Sequence, residues 1–120
     1  MLKKEVCDAM RTLITRIEKY TERLHELKDI SAMIAEEKEV PVYVATEKHR
    51  IRINDEDTDT ASTSIATGVL VNLAYDATEK SLEVYREALK ALVLEDYSTL
   101  TTEAVDLLER CGVEVYEHID

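Results

Sequence analysis

The sequence is poor in the residues on which many binding and catalytic motifs depend: it has no Phe or Trp, two Gly, one Pro and two Cys. Gly68 and Gly112 are too far apart to build most of the glycine-rich loops that hold phosphate. Cys7 and Cys111 lie near opposite ends without a CxxC motif, which indicates neither a disulfide framework nor a zinc knuckle. No apolar run approaches the roughly 18 residues of a membrane span, and no signal-peptide core follows Met1. We therefore expect a cytoplasmic protein that does not enter a membrane.

Basic side chains are also scarce, and the acidic excess lies in one part of the chain. The 120 residues include 15 basic and 26 acidic side chains, a formal charge of −11. Residues 1–50 hold ten of each sign, whereas residues 51–120 hold five basic and sixteen acidic side chains. Duplex DNA would repel such a protein, so we expect no direct binding of nucleic acid. The charge favours a protein partner with a basic surface.

Apolar residues at alternating spacings of four and three predict a long first helix, over about residues 3–37. This heptad seam, typical of a coiled coil, consists of Val6, Met10, Leu13, Ile17, Tyr20, Leu24, Leu27 and Ile34, with Ser31 in its one polar position. Such a helix would be about 50 Å long, which exceeds the roughly 30 Å breadth of a compact domain of this size. It therefore needs a partner helix of similar length.

A second helix is predicted over about residues 64–94, and it has two apolar stripes instead of one. The first stripe consists of Gly68, Val71, Tyr75, Leu82, Tyr85, Leu89 and Leu92, and the second of Ala66, Leu70, Leu73, Ala77, Val84, Ala88 and Ala91. The first helix can cover one stripe. The alanine-rich stripe then needs the third helix of the same chain or a helix from another subunit, and we expect a homo-oligomer.

Residues 40–53, between the two long helices, alternate with period two and predict a β-hairpin. Pairing Val44 with His49 makes one face apolar and places Tyr43 directly opposite Arg50. The other face carries the one basic cluster of the sequence, and its candidate ligand-binding residues are Tyr43, Lys48, Arg50 and Arg52. Guanidinium groups beside a tyrosine ring suit a small anionic ligand. An ordinary polar sheet face is the alternative.

The remaining segments complete a single domain over residues 1–120. An acidic loop is predicted over residues 54–63, and a third helix over about 102–111, capped by Ser98 or Thr101 and stopped by Gly112. Residues 113–119 read as a short strand or an extended tail. The predicted fold class is α+β, mainly α, with two long paired helices and a hairpin between them at one end.

The other chemistry-bearing residues do not assemble into a catalytic or metal motif. Asp55, Asp57 and Asp59 have the spacing that opens an EF-hand loop, but Thr60 and Ala66 replace its Gly and bidentate Glu. We interpret this tract as a solvated loop that favours the positive end of the second helix, with a weak divalent-ion site as the alternative. The three histidines are scattered over different predicted elements, and neither cysteine has a patterned base nearby. We predict no cofactor, no metal, no catalytic residue and no enzymatic activity.

The order of the predicted elements resembles that of small helix-hairpin-helix proteins that are frequent in bacteriophage genomes. The likeness rests on the heptad-patterned helix, on the strands Val42-Tyr-Val44 and Arg50-Ile-Arg-Ile53, and on a long helix opened by Asp, Thr and Ser residues. It covers most of the chain. It implies a compact, oligomeric accessory or host-interaction protein of the host cytoplasm, and it assigns no activity to any residue.

Three functions are compatible with these patterns. In the first, a non-catalytic oligomeric protein, such as a phage-type inhibitor, binds a basic surface of a host protein through its acidic half. The residues predicted to bind that partner are Asp55, Glu56, Asp57, Asp59, Glu79, Glu83 and Glu87. In the second, the oligomer binds or sequesters a small anionic ligand, such as a nucleotide, through the basic hairpin face. In the third, the protein is a purely structural assembly subunit.

Overall fold

The computed structural model describes residues 3–36, 40–54 and 60–117; for residues 60–65 and 117 it describes the backbone alone. Within these ranges the chain is mainly helical, with one two-stranded sheet. The elements are α1 (Lys4–Ala35), β1 (Tyr43–Ala45), β2 (Arg50–Arg52), α2 (Thr60–Leu94) and α3 (Thr102–Arg110), followed by a short 3-10 helix at Val115–Glu117. The predicted α+β, mainly α, fold class is confirmed.

Two element predictions need correction. Helix α2 begins at Thr60, so residues 60–63 belong to the helix and not to the acidic loop. The strand alternative for residues 113–119 does not form over the described residues 113–117, since Val115–Glu117 is a 3-10 helix; residues 118 and 119 lie outside the described residues. The reason lies in Val113 and Val115, which are 2% and 0% exposed. Because both side chains are drawn into the core, this segment packs against the helices and does not extend the sheet.

The contacts divide the chain into two compact units, Met1–Arg23 with Thr78–Asp120 and Leu24–Ala77. The first unit contains the hydrophobic core, to which α1, α2 and α3 all contribute. The buried members of that core are Val6, Ala9, Leu13, Ala88, Ala91, Leu92, Tyr97, Leu108, Val113 and Val115. Ala88 and Ala91 belong to the alanine-rich stripe and share this core with Leu108 of α3. Within the first unit, a helix of the same chain therefore covers that stripe.

Both helices of the C-terminal half end at a residue with left-handed backbone. Glu95 follows α2 with φ of 53°, and the Asp96 N–H donates to the Ala91 carbonyl at 3.1 Å. Gly112 follows α3 with φ of 88°, and the N–H groups of Gly112 and Val113 donate to carbonyls of the last turn at 3.0 and 2.9 Å. Glycine adopts this conformation without a steric penalty, as the predicted stop at this position requires.

The second unit contains the hairpin, whose register differs from the predicted one by two residues. The paired residues are Tyr43 with Arg52, Val44 with Ile51, and Ala45 with Arg50. The predicted pairing of Val44 with His49 was wrong, because His49 pairs with Thr46 at the turn. The Thr46 N–H donates to the His49 carbonyl at 2.7 Å, and the His49 N–H donates to Thr46 Oγ1 at 3.1 Å. A shift of two residues leaves every side chain on its predicted face, since strand alternation repeats every two residues.

Asn54 joins the hairpin to α2 within the second unit. Its side chain is 7% exposed, and its amide makes four hydrogen bonds. Oδ1 accepts from the Val42 N–H at 2.8 Å and from Arg52 Nε at 3.1 Å. Nδ2 donates to the Val40 carbonyl at 2.6 Å and to Oγ1 of Thr67, a buried residue of α2, at 2.9 Å. One buried polar group, fully bonded, thus connects both arms of the hairpin with the helix.

Candidate protein-binding site

The exposed carboxylates of the first unit are concentrated near the C-terminal end of the chain. Residues 95–117 contain seven acidic side chains and a single basic one, Arg110. Six of the acidic side chains are exposed and form what we call the acidic surface: Glu95, Asp96, Glu103, Asp106, Glu109 and Glu114. By contrast, residues 78–90 of α2 hold three acidic and three basic side chains. The net negative charge of this unit therefore comes mainly from α3 and the segments that flank it.

The position of α3 is fixed by a carboxylate of α2. Thr101 caps α3, since its Oγ1 accepts from the Ala104 N–H at 3.3 Å. The carboxylate of Glu87 accepts from the Thr101 N–H and from the Thr101 hydroxyl, each at 2.8 Å. Helix α3 buries Ala104 and Leu108 in the core. This amphipathic packing leaves its acidic residues in solvent.

Local hydrogen bonds at the acidic surface favour the ionised form of Asp96. Asp96 accepts from the hydroxyl and the N–H of Ser98 at 2.6 and 3.1 Å, and these hydrogen bonds lower the pKa of Asp96. Asp106 pairs with Arg110 on the next turn of α3 at 3.2 Å, with both side chains more than half exposed. Such an exposed pair contributes at most about 1 kcal/mol. A basic group of a partner can therefore replace Arg110 beside Asp106 at small cost.

An open cleft of about 270 Å³ lies between α2 and α3, beside the acidic surface. It is lined by Ser81, Val84, Tyr85, Glu103, Asp106, Leu107 and Arg110. Val84, Leu107 and the Tyr85 ring are apolar, whereas Glu103 and Asp106 bring negative charge. Lys and Arg combine a long aliphatic stem with a cationic head, and aromatic rings attract cations. The cleft is thus better suited to a basic side chain than to an anion.

Tyr85 is held in place by residues of α1. Arg16 Nη1 donates to the Tyr85 hydroxyl at 3.5 Å, and the Tyr20 ring lies 5.2 Å from the Tyr85 ring between centroids. The Arg23 guanidinium lies 5.2 Å from the centroid of Tyr20. Burial and a hydrogen bond with Tyr20 raise the pKa of Tyr85, although the charge of Arg16 acts in the opposite direction. Tyr85 therefore presents a neutral hydroxyl at physiological pH.

The basic face of the hairpin forms as predicted, but both of its guanidinium groups are engaged within the chain. The Arg50 guanidinium stacks 4.1 Å from the centroid of the Tyr43 ring. Arg52, and not Arg50, lies directly opposite Tyr43, so the predicted cross-strand pair was wrong and the observed contact is diagonal. Arg52 also donates to Asn54, while Lys48 lies in the turn. Because Arg50 covers one face of the ring, that face cannot stack on a ligand.

The partner-binding residues predicted from the sequence have different surroundings. Glu79 and Glu83 are exposed on α2, whereas Glu87 is half-buried and holds α3. Four of them lie outside the described residues: Asp55, Glu56, Asp57 and Asp59. Sequence reasoning missed the α3 carboxylates that the structure places at the cleft or beside it. These are Glu103, Asp106 and Glu109. The available signal was the scarcity of basic residues after Lys90, where Arg110 stands alone.

Within the described ranges, no group of three or more His, Cys, Asp and Glu side chains could hold a metal ion. The divalent-ion alternative for Asp55, Asp57 and Asp59 falls outside those ranges. Cys7 and Cys111 are half-buried free thiols. Burial raises the pKa of Cys111, which keeps this thiol protonated and weakly nucleophilic.

Over the part of the chain that the structure describes, no helix combines the length and apolar character that crossing a membrane requires. Comparison of the chain with protein-family models, curated proteins and solved structures found no match. The features of the structure that bear on function are the acidic surface, the cleft beside it and the exposed apolar residues.

Proposed function

We propose that this protein is a non-catalytic interaction protein that binds a positively charged surface of a partner protein through its acidic surface. The observation that carries this proposal is the set of six exposed carboxylates in residues 95–114, a segment in which Arg110 is the one basic residue. A surface of one sign accelerates encounter with an oppositely charged protein and repels nucleic acid. The partner is therefore a basic protein and not a nucleic acid.

The cleft between α2 and α3 offers a defined point of attachment on this surface. A Lys or Arg side chain of the partner enters the cleft with its stem along Val84 and Leu107. Its cationic head then lies beside Glu103 and Asp106, where it replaces the exposed contact with Arg110. This arrangement requires no rearrangement of the core, because the cleft is open before binding.

A more specific version of the proposal states that binding of this protein inhibits its partner. The acidic surface and nucleic acid are both polyanionic, so they compete for the same basic region of a nucleic-acid-binding protein. In the phage-type form of this proposal, the acidic surface would cover such a region on a host protein.

A labelled arginine-rich peptide tests this proposal by fluorescence anisotropy. The test variant combines Glu103→Gln with Asp106→Asn, and the matched control combines Glu18→Gln with Glu22→Gln on exposed positions of α1. Both variants remove two negative charges. We expect the test variant to weaken binding about 5- to 30-fold, as the loss of two favourable ion pairs implies, and the control to weaken it less than about twofold.

Salt and a third variant decide between the alternatives. Affinity for the peptide should fall steeply between about 0.05 M and about 0.5 M salt, and an affinity indifferent to salt would rule out the electrostatic surface. Equal losses in both double variants would mean that net charge alone attracts the peptide. A larger loss with Glu79→Gln and Glu83→Gln combined would move the site to α2, as the sequence predicted. The purely structural alternative predicts no binding of this peptide above background.

The anionic-ligand alternative has less support from the geometry. A ligand at the hairpin would compete with Arg50 for the Tyr43 ring and with Asn54 for Arg52. Nucleotide binding through this face stays a prediction from the sequence, and equal ATP affinity of the unaltered protein and an Arg50→Ala, Arg52→Ala variant would end it.

A further inference from the structure

The N-terminal half of α2 lacks charge to an extent unusual for this protein. Residues 60–75 form sixteen consecutive helical positions without one Asp, Glu, Lys or Arg, although 34% of the whole chain is charged and about five charged residues would be expected there. A helix that faces water throughout is normally rich in charged side chains. This stretch has the composition of a buried or interface helix.

One side of this stretch is nevertheless exposed. Its exposed apolar residues, together with Ala77 just beyond the stretch, form what we call the uncharged face: Ala66, Val69, Leu70, Leu73 and Ala77. Val69, Leu70 and Leu73 are 53%, 36% and 60% exposed. The positions 66, 70, 73 and 77 are spaced by four, three and four residues, which is the seam of a helix that packs against another helix. The other side of α2 is already occupied, since Thr67 and Val71 are buried and Thr67 bonds Asn54.

The alanine-rich stripe of α2 is buried in its C-terminal part and exposed in its N-terminal part. Its C-terminal part, Ala88 and Ala91, is buried in the core of the first unit, which also contains Leu108 of α3. Its N-terminal part is the uncharged face of the second unit. The described residues of that unit include three buried side chains, those of Asn54, Thr67 and Val71. The other apolar side chains described in that unit are therefore at least partly exposed to solvent. Val44, Ile51 and Ile53 of the hairpin are exposed as well.

We infer that a second copy of this chain packs against the uncharged face, which forms the seam of a homodimer. A second copy suits this face because its four-three spacing matches a helix of the same pattern, which a symmetric copy supplies. Two molecules with a charge of −11 repel each other overall, so copies approach each other most easily where the facing surfaces carry no charge. Residues 60–75 satisfy that condition, and a symmetric dimer places the same patch on both sides of the interface. A basic partner, in contrast, gains nothing from an uncharged face and is drawn to the acidic surface.

Analytical ultracentrifugation of the full chain tests this inference at micromolar concentrations. The test variant is Leu73→Glu, and the matched control is Leu94→Glu, an equally exposed leucine of the same helix. Both substitutions add one negative charge. We expect a mass of twice 13.7 kDa for the unaltered protein and for Leu94→Glu. For Leu73→Glu we expect at least a 100-fold increase in the dimer Kd, because each dimer loses two leucine contacts and buries two carboxylates.

Every outcome decides the inference. A mass of 13.7 kDa for the unaltered protein at both low and high salt contradicts the inference. It is also contradicted if Leu73→Glu dimerises as tightly as the unaltered protein, or if Leu94→Glu weakens the dimer as much as Leu73→Glu does. If circular dichroism shows that Leu73→Glu loses helix, Leu73→Ala replaces it, with an expected Kd increase of about tenfold. Self-association should strengthen with salt, since salt screens the repulsion between two acidic copies. Peptide binding by the acidic surface should weaken with salt, so the two proposals can fail separately.

Discussion

Asn54 provides the sharpest test of how the second unit is held together. Replacing it with Ala removes the acceptor for the Val42 N–H and for Arg52 Nε, and the donor to the Val40 carbonyl and to Thr67 Oγ1. The change affects no large apolar contact, so the effect on stability reports the hydrogen bonds. It also leaves the first unit intact, because all five residues belong to the second.

The size of the effect follows from what happens to each freed group. A neutral internal hydrogen bond stabilises the folded state by about 0.5–1.5 kcal/mol and one to a charged group by up to about 3 kcal/mol, so three neutral bonds and the Arg52 bond set a ceiling of about 7.5 kcal/mol. Val40, Val42 and Arg52 are partly exposed and recover water in the variant, whereas Thr67 is 3% exposed and does not. We therefore expect Asn54→Ala to lower the free energy of unfolding by about 2–3 kcal/mol.

Urea unfolding measures this loss, and hydrogen exchange locates it. In Asn54→Ala, the Val42 amide should lose its protection together with the Ile53 amide, which donates to the Val42 carbonyl at 2.8 Å. The Val113 amide donates to Leu108 in the first unit and serves as the internal control. Its exchange should change only as much as global stability changes.

A double-mutant cycle separates the bond to the helix from the bonds to the hairpin. Thr67→Val keeps the volume of the side chain and removes the hydroxyl, with an expected loss of about 1 kcal/mol. Combined with Asn54→Ala it should show a coupling of about 1 kcal/mol, since both changes break the same bond. If Asn54→Ala lowers the free energy of unfolding by less than about 0.5 kcal/mol and the Val42 amide stays protected, the Asn54 side chain does not stabilise the hairpin.

Three glycine-related substitutions test the helix geometry by thermal unfolding. Gly68→Ala should stabilise the folded protein by about 1 kcal/mol, because Gly68 is inside α2 and a Cβ added there meets no atom within 4 Å. Gly112→Ala should destabilise the folded protein instead, because Gly112 has a φ of 88°, which alanine adopts at a steric cost. Glu95→Gly should stabilise by about 1 kcal/mol, because it relieves the left-handed backbone of Glu95 at the end of α2, and an unchanged or lower Tm would contradict that reasoning.

The parts of the fold that depend on local pattern could be predicted from the sequence, and the parts that depend on distant contacts could not. Heptad spacing and capping residues sufficed for the three helices and for the stop at Gly112. The hairpin register was wrong because a two-residue shift preserves the apolar pattern, and only the Thr46 contacts and the Asn54 bonds distinguish the alternatives. The strand alternative for the C-terminal segment was wrong over residues 113–117, because alternation in Val113 and Val115 also suits a non-strand segment whose valines are buried in a core.

The candidate site was harder to predict from the sequence, because it too depends on contacts between residues that are distant in the chain. Glu87 looked like one carboxylate among many, and its bonds to Thr101 connect residues that lie fourteen positions apart. The cleft likewise requires knowing that α3 lies beside Tyr85. Net charge, in contrast, is a property of composition, so the acidic character of the second half can be read directly from the sequence. What the structure adds is the location of the exposed carboxylates on α3 and its flanking segments.

The distribution of charge along the chain connects the two proposed surfaces. If the charge of −11 served solubility alone, acidic residues could be spread over every exposed helix face. Instead, residues 95–117 contain seven of them while residues 60–75 contain none, although both segments include helix and exposed side chains. A protein that must bind a basic partner and also associate with itself needs this separation, because one negative surface cannot do both. Introducing charge at Leu73 should therefore abolish dimerisation without weakening peptide binding per chain. Neutralising Glu103 and Asp106 should have the opposite pair of effects.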